Sequence, residues 1–355
     1  VKLNWKVALG FGVSALFLWL AFRAVPLGNV VDVLRASNPW LFALCTVVAT
    51  LIFPLRAIRW QVILQPVAGH IPFGPLWRST AIGMMVNNLV PARAGEVARA
   101  LALSREVPRV SFTTSLASLA VDRIFDAIAL LALMFGAMLS PAFPANAKIA
   151  GMTVPQFAIS GMSAVIVLLI ACYVAVLNPK RMLSLVRAVA DRFLPRFAPR
   201  IEGFADQALG GLAVLRDARR FVLVLWWAFA HWLVHAVALW IGFLAVGMDA
   251  PFSAALFLQG VLGFAVALPS SPGFVGVFEY AATSGLGVYG VSPDIAISWA
   301  IGYHMLSFIP ITVFGIVYLA RLGINLRDIG GAAERAREVK DARDTFVHEP
   351  EQRAP

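Results

Sequence analysis

Asn87-Asn88-Leu89-Val90-Pro91-Ala92-Arg93-Ala94-Gly95-Glu96-Val97-Ala98-Arg99 closes an apolar run with two amides, a proline, a glycine and three charged side chains. In a water-soluble chain this is an ordinary loop. Here the segments on either side have membrane length, and the same residues become a polar break at membrane depth. A second break of the same kind follows in the other half of the chain, Ala267-Leu268-Pro269-Ser270-Ser271-Pro272-Gly273-Phe274-Val275-Gly276-Val277-Phe278-Glu279.

Composition explains why the breaks read this way. Of the 355 residues, 60% are hydrophobic and 14% charged, whereas a soluble domain is roughly a quarter charged. Only helices and closed barrels cross lipid. The apolar runs lack the period-two alternation of a barrel, so the class is an all-α polytopic membrane protein. The net charge of +10 does not indicate nucleic acid, because Lys and Arg gather in loops on one side. Cys45 and Cys172 fall inside apolar segments and read as small buried hydrophobes, not a disulfide or a metal pair. The chain opens Val1-Lys2-Leu3-Asn4-Trp5-Lys6 and shows no small-residue cleavage site after its first apolar run. That run is expected to be a retained span.

In chain order, Val7 to Val25 is long enough for about 30 Å of hydrocarbon and ends at Pro26 and Gly28. A short amphipathic piece, Val30 to Ala36, precedes a span from Trp40 to Leu55 kinked by Pro54. Arg56, Arg59 and Trp60 at its exit are expected as headgroup anchors, with phosphate binding as the sharper alternative. Leu76 to Val90 is apolar but only 15 residues long, short for a span and suited to a re-entrant half helix. Ala94 to Ser104 forms a second short helix. Ser111 to Leu139 is a long helix carrying Asp122, Arg123 and Asp126, and a rise of about 1.5 Å per residue puts them near mid-membrane.

Pro155 to Leu177 is a further span. Residues 178–220 form a basic insert with two amphipathic surface helices, Met182 to Phe193 and Ile201 to Leu215. Phe221 to Val246 is a Trp-rich span with His231 and His235 four apart. That spacing suits a metal, but no third ligand accompanies it, and structural histidines are expected. Phe252 to Tyr289 is broken at Pro269 to Gly273, and Ile295 to Leu319 is the last span, holding His304. The expected domains are one transmembrane unit over 1–325 and a polar tail over 326–355, with a short helix at Ala332 to Arg343.

The basic loops place both termini in the cytoplasm by the positive-inside rule. The expected architecture is about six full spans plus two re-entrant or broken helix pairs, entering from opposite sides as in an inverted repeat. Two Pro/Gly-interrupted segments of this kind, one in each half, point to a transport site at the membrane midplane.

A charge at mid-membrane costs roughly 2.5–3.5 kcal/mol on insertion scales, so the buried charges must pair or face water. Asp122 and Asp126 share a helix face, and both ionised would repel. Either one is protonated or a cation sits between them, with Arg123 supplying part of that charge. Arg93, Glu96 and Arg99 recur at three-residue intervals, so Glu96 can bridge two guanidinium groups. Arginine forks and free helix-end N–H groups both suit phosphate. An alternative reading is a salt-bridge network that only holds helices together. Asp122-Arg-Ile-Phe-Asp126 also has the Asp-x-x-x-Asp spacing of intramembrane prenyltransferases, but no second such motif occurs. No catalytic Gly-x-Ser-x-Gly, Walker or zinc motif is present, and no cofactor or metal site is expected.

Four stretches carry a family resemblance: Arg56-Ala-Ile-Arg59-Trp60; Asn88-Leu-Val-Pro-Ala-Arg93-Ala-Gly-Glu96-Val-Ala-Arg99; Val121-Asp122-Arg123-Ile-Phe-Asp126; and Leu268-Pro-Ser-Ser-Pro-Gly-Phe-Val-Gly-Val-Phe-Glu279. In this order they resemble the flippase-type transmembrane family typified by the membrane half of lysylphosphatidylglycerol synthases. The resemblance implies a bundle with two re-entrant pairs around a lipid cavity, moving lipids between leaflets. It implies roles for Arg93, Glu96, Arg99, Arg123, Asp126 and Glu279. Asp122 stands where that family often has Glu, and His304 where many members have Arg. No aminoacyl-transferase domain fits in the chain, which is expected to stand alone.

The expected function is a lipid flippase of a bacterial inner membrane, either energy-independent or proton-coupled. The rival is an intramembrane enzyme or accessory subunit acting on a polyprenyl-phosphate-linked substrate. The substrate-binding set is Asn87, Asn88, Arg93, Glu96, Arg99, Asp122, Arg123, Asp126, Ser270, Ser271, Glu279 and His304. Membrane lipids are the expected partners, with a lipid-synthesising enzyme and an oligomer both compatible with the reading.

Overall fold

The computed structural model describes residues 5–22, 26–90, 94–144, 148–149, 152–193, 217–266 and 271–324. Arg93, Ser270, the expected helix from Ile201 to Leu215 and the tail helix from Ala332 to Arg343 lie outside the described residues, and so does the side chain of Cys172.

Helix α1 (Trp5–Phe22) and the short α2 (Leu27–Ala36) are separated at Pro26. Asn38 starts α3 (Pro39–Ala68): its side-chain oxygen accepts from the N–H groups of Trp40 and Leu41 at 3.0 and 3.2 Å. This helix does not end near Leu55 as expected. It runs through Pro54 for 30 residues in all, because interior prolines are tolerated in membrane helices whose neighbours support the freed backbone groups. The half helices α4 (Phe73–Leu89) and α5 (Gly95–Glu106) follow. Ser111 caps α6 (Phe112–Met138), accepting from the N–H of Thr114 at 3.0 Å.

A two-residue antiparallel ladder, β1 (Lys148–Ile149) with β2 (Met152–Thr153), precedes α7 (Val154–Leu177) and was not legible in the sequence. The amphipathic α8 (Pro179–Phe193) follows, then α9 (Ala218–Ala245). The second break separates α10 (Phe252–Ala265) from α11 (Val277–Gly287), with a 3₁₀ turn at Pro272–Phe274. The last helix is α12 (Pro293–Arg321).

Two halves are visible in this order. Helices α3 to α6 have 30, 17, 12 and 27 residues, and α9 to α12 have 28, 14, 11 and 29. Their packing repeats as well. Helix α3 lies against α9; α4 packs on α12 as α10 packs on α6; α3 touches α12 as α9 touches α6. Two apolar centres form, one around Trp60, Leu64, Leu119 and Phe125 with Phe221 and Val224 of α9, the other around Phe243, Leu258, Leu286 and Trp299 with Cys45 and Ala49 of α3. Helix α7 stands outside this pattern against α6, with Ile159, Val167 and Ile170 facing outward.

Among the described residues, α3, the first 18 residues of α7, α9 and α12 are long and apolar enough to cross a membrane. Lipid offers helices no hydrophobic drive to associate, so close approach of small residues carries more of the packing. The contact of Gly83 in α4 with Gly95 in α5 is such an approach. A Cβ on Gly95 would overlap the Gly83 carbonyl oxygen and the Asn87 side chain. We expect Gly95→Ala to destabilise the protein by about 1–3 kcal/mol. Gly12→Ala, at a site with no atom within 4 Å, should be neutral or stabilising. Thermal unfolding of both variants in detergent checks the contrast.

Candidate functional site

Helix α3 places Arg56 and Arg59 opposite Asp122 and Asp126 of α6. Arg59 reaches both acids: its Nε donates to Asp122 Oδ1 at 2.7 Å and its Nη1 lies 2.8 Å from Asp126 Oδ1. Arg56 pairs with Asp126 through Nη2 and lies 3.8 Å from Asp122 through Nε. From α5, Arg99 Nη1 is 3.4 Å from Asp122 Oδ2, and its guanidinium sits over the Trp60 ring, 4.1 Å from the centroid. Trp60 donates to Ser118 Oγ at 2.8 Å, and Trp232 of α9 donates to Asp126 Oδ1 at 3.1 Å. Arg59 and Asp122 are both 0% exposed, and Arg99 is 1%.

The rim is more open. Arg123 pairs with Glu96 and lies 3.5 Å from Asp126, and its side chain is 44% exposed. Four guanidiniums (Arg56, Arg59, Arg99, Arg123) face three carboxylates (Glu96, Asp122, Asp126), so the described cluster carries 4 − 3 = +1. Nε and Nη2 of Arg99 are buried without a hydrogen-bond partner among the described residues.

Three expectations change. Arg56, Arg59 and Trp60 are not anchors at a helix exit; they are buried mid-helix because α3 continues through Pro54. Asp122 and Asp126 need neither a shared proton nor a bound cation, since α3 and α5 bring guanidiniums to both. Glu96 does not bridge to Arg99. It reaches across to Arg123 on α6, while Arg99 turns inward to Asp122 and the Trp60 face. A signal in the sequence could have shown the first two. Arg56 and Arg59 are spaced i, i+3 and Asp122 and Asp126 i, i+4, so each pair occupies one helix face.

The two breaks meet. The 3₁₀ turn packs on α4, and a Cβ at Gly273 would come within 3.4 Å of the Asn88 carbonyl oxygen. Gly273, Phe274 and Gly276 all have left-handed φ, at 70°, 60° and 87°, a conformation that costs a residue with a Cβ about 1–2 kcal/mol. Asn87 accepts the Gly95 N–H at 2.9 Å, bridging the first break, and Asn88 donates to Thr312 of α12 at 2.8 Å. Ser271 turns its hydroxyl towards the Pro272 carbonyl, 3.4 Å away. Beyond the second break, Glu279 is 2.6 Å from Nδ1 of His304, and its other oxygen accepts the Gly276 N–H at 2.5 Å. The His304 ring lies against Phe278, with centroids 4.3 Å apart. Among the described residues no group of three His, Cys, Asp or Glu side chains is arranged to hold a metal.

A polytopic helical bundle with a buried arginine–carboxylate centre and two broken helix pairs defines a class of membrane protein. Residues 7–315 match the model of the lysylphosphatidylglycerol synthase transmembrane region, and the chain belongs to that family. It is similar to a protein named glycosyltransferase AglD from Haloferax volcanii, 28% identical over 364 residues; the match covers 94% of this chain and spans 57% of that relative's length. It is also similar to a UPF0104 membrane protein of Methanothermobacter thermautotrophicus, 24% identical over 88% of this chain and 92% of the relative. Another UPF0104 membrane protein, from Pyrococcus horikoshii, is 24% identical over 74% of this chain and 82% of its own.

Breaking a buried ion pair leaves a charge without a partner and costs about 3–5 kcal/mol. Asp122→Asn strips a counter-charge from Arg59 and Arg99 together, and we expect a loss of that size. Glu96→Gln at the open rim should cost under about 1 kcal/mol. Denaturation midpoints in detergent distinguish the two.

Proposed function

We propose that the protein is a lipid flippase of a bacterial inner membrane. It passes the headgroup of a phospholipid, or of another lipid with a polar headgroup, through the charged centre while the tails stay in lipid. The observation that carries this reading is the net positive cluster whose core is buried, with Nε and Nη2 of Arg99 unpaired among the described residues. In that setting a phosphate is the natural counter-ion, since charge-assisted and bidentate bonds to guanidinium are the strong ones. Arg56, Arg59 and Arg99 bind the phosphate, joined by Arg93 and Arg123. Glu96, Asp126 and Glu279 release and recapture the arginines or take a cationic headgroup part, and His304 holds Glu279.

In this reading α1 and α6 complete six spans, α4–α5 and α10–α11 are re-entrant pairs of opposite direction, and both termini are cytoplasmic. The paired lengths and matched contacts of the two halves support the inverted repeat. We take the chain to perform no covalent chemistry.

A second reading draws on the name of the Haloferax volcanii relative, which is a glycosyltransferase. The chain then serves as a membrane subunit beside a lipid-synthesising enzyme, and the bound lipid is a polyprenyl phosphate that carries a sugar. The same arginines meet the same phosphate.

Reconstitution in vesicles with a fluorescent phosphatidylglycerol tests the flippase. We expect leaflet transfer of chemically unchanged lipid, with a rate about ten- to hundredfold lower in Arg99→Gln, as loss of one charged hydrogen bond of roughly 1.5–3 kcal/mol would produce. Lipid recovered in a chemically altered form would instead support an enzyme.

A further inference from the structure

His231 is the buried group that lipid passage as described leaves without a task. It lies on α9, 1% exposed, and neither ring nitrogen has a hydrogen-bond partner among the described residues. A buried polar group left unpaired costs about 1–3 kcal/mol, and an imidazole has two. The nearest carboxylate is Asp126, whose Oδ1 is 3.9 Å from Nδ1, just beyond hydrogen-bond reach. That same oxygen is held by Trp232, the next residue on α9, and by Arg59.

The groups facing His231 from the surrounding helices are Arg56 and Arg59 of α3, Asp126 of α6 and His235 of its own helix. One turn along, His235 Nδ1 is 3.4 Å from Gln259 Oε1 of α10, and the amide nitrogen of Gln259 is buried and also unpartnered. The result is a buried polar strip on α9 and α10 that approaches the arginine cluster at Asp126.

We propose that His231 takes up a proton when an anion binds the arginine cluster. The inference rests on the reading that a phosphate enters that cluster. In the present arrangement Arg56 and Arg59 neutralise Asp126, and a further positive charge on His231 would stand beside two guanidiniums. An entering phosphate competes for those guanidiniums. As they turn to it, Asp126 is left as a carboxylate in a medium of low dielectric. Arg123, 3.5 Å from Asp126, is already engaged by Glu96 at the rim, and the buried neighbour able to add a positive charge is the imidazole. A proton from water or buffer forms an N–H bond at Nδ1, the ring becomes imidazolium, and the N–H closes on Asp126 Oδ1. When the phosphate leaves, Asp126 regains its arginines and the proton returns to solvent. Anion binding and proton binding then strengthen each other by the same factor, so phosphate affinity rises as pH falls. Lipid transfer through this centre carries a proton on and off the protein in each cycle.

Calorimetric titration of the detergent-purified full chain with dihexanoyl phosphatidylglycerol tests this, run at one pH in buffers of different ionisation enthalpy. The dependence of the binding heat on buffer enthalpy gives the protons taken up per lipid bound. We expect about one for the natural protein and for His235→Gln, and about zero for His231→Gln with binding retained. Binding by the natural protein with no dependence on buffer overturns the proposal, whether or not the variant folds. An unchanged proton count in His231→Gln overturns it equally. Absence of any binding by the natural protein overturns the phosphate reading on which it rests.

Discussion

The pairing of Arg56 and Arg59 on α3 with Asp122 and Asp126 on α6 is the constraint around which the bundle is arranged. Each of these charges alone would cost several kcal/mol to hold away from water. Together they satisfy one another across two helices, and Arg99 and Trp232 add ties from α5 and α9. Four elements therefore converge on two carboxylates. A buried network of this kind is weak as a source of stability, because desolvation offsets most of the Coulomb attraction. Its value here is positional. It holds Arg99 at a fixed place with Nε and Nη2 unpaired among the described residues.

The second half repeats the scaffold with different chemistry. Where the first half has buried guanidiniums and carboxylates, the described interior of the second has imidazoles and one buried carboxylate: His231 and His235 on α9, Glu279 on α11 and His304 on α12. The breaks of the two halves touch at Asn88 and Gly273. Gly273, Phe274 and Gly276 take positive φ within four residues, with Val275 between them extended. Phe274 keeps a side chain there, with the steric cost that carries.

Much of this was legible before the fold was known. The membrane class followed from composition, and the half helices from the shortness of Leu76 to Val90 and from Pro269 to Gly273. The burial of Asp122 and Asp126 was expected from their place in the middle of a long apolar helix. What misled was local. The span reads as kinked at Pro54 and finished near Leu55, but inside a packed bundle α3 continues to Ala68 and carries Arg56 and Arg59 into the buried centre. Partner choice was also out of reach: spacing offered Glu96 to Arg99, while depth and the Trp60 face drew Arg99 to Asp122. Sequence neighbours compete with residues from other helices, and only the fold ranks them. The unpaired nitrogens of His231 had no sequence signal, since an isolated histidine in an apolar helix reads the same whether its nitrogens are bonded or not.

The central claim is that the buried cluster is a binding place for a lipid phosphate. Mass spectrometry of the lipids that remain with the purified protein addresses it most directly, comparing the natural chain with Arg99→Gln. A phosphate-bearing lipid enriched over the bulk membrane in the first, and absent from the second, is the predicted result. The same unselected lipid mixture in both would contradict it and leave the cluster as a device that only joins helices.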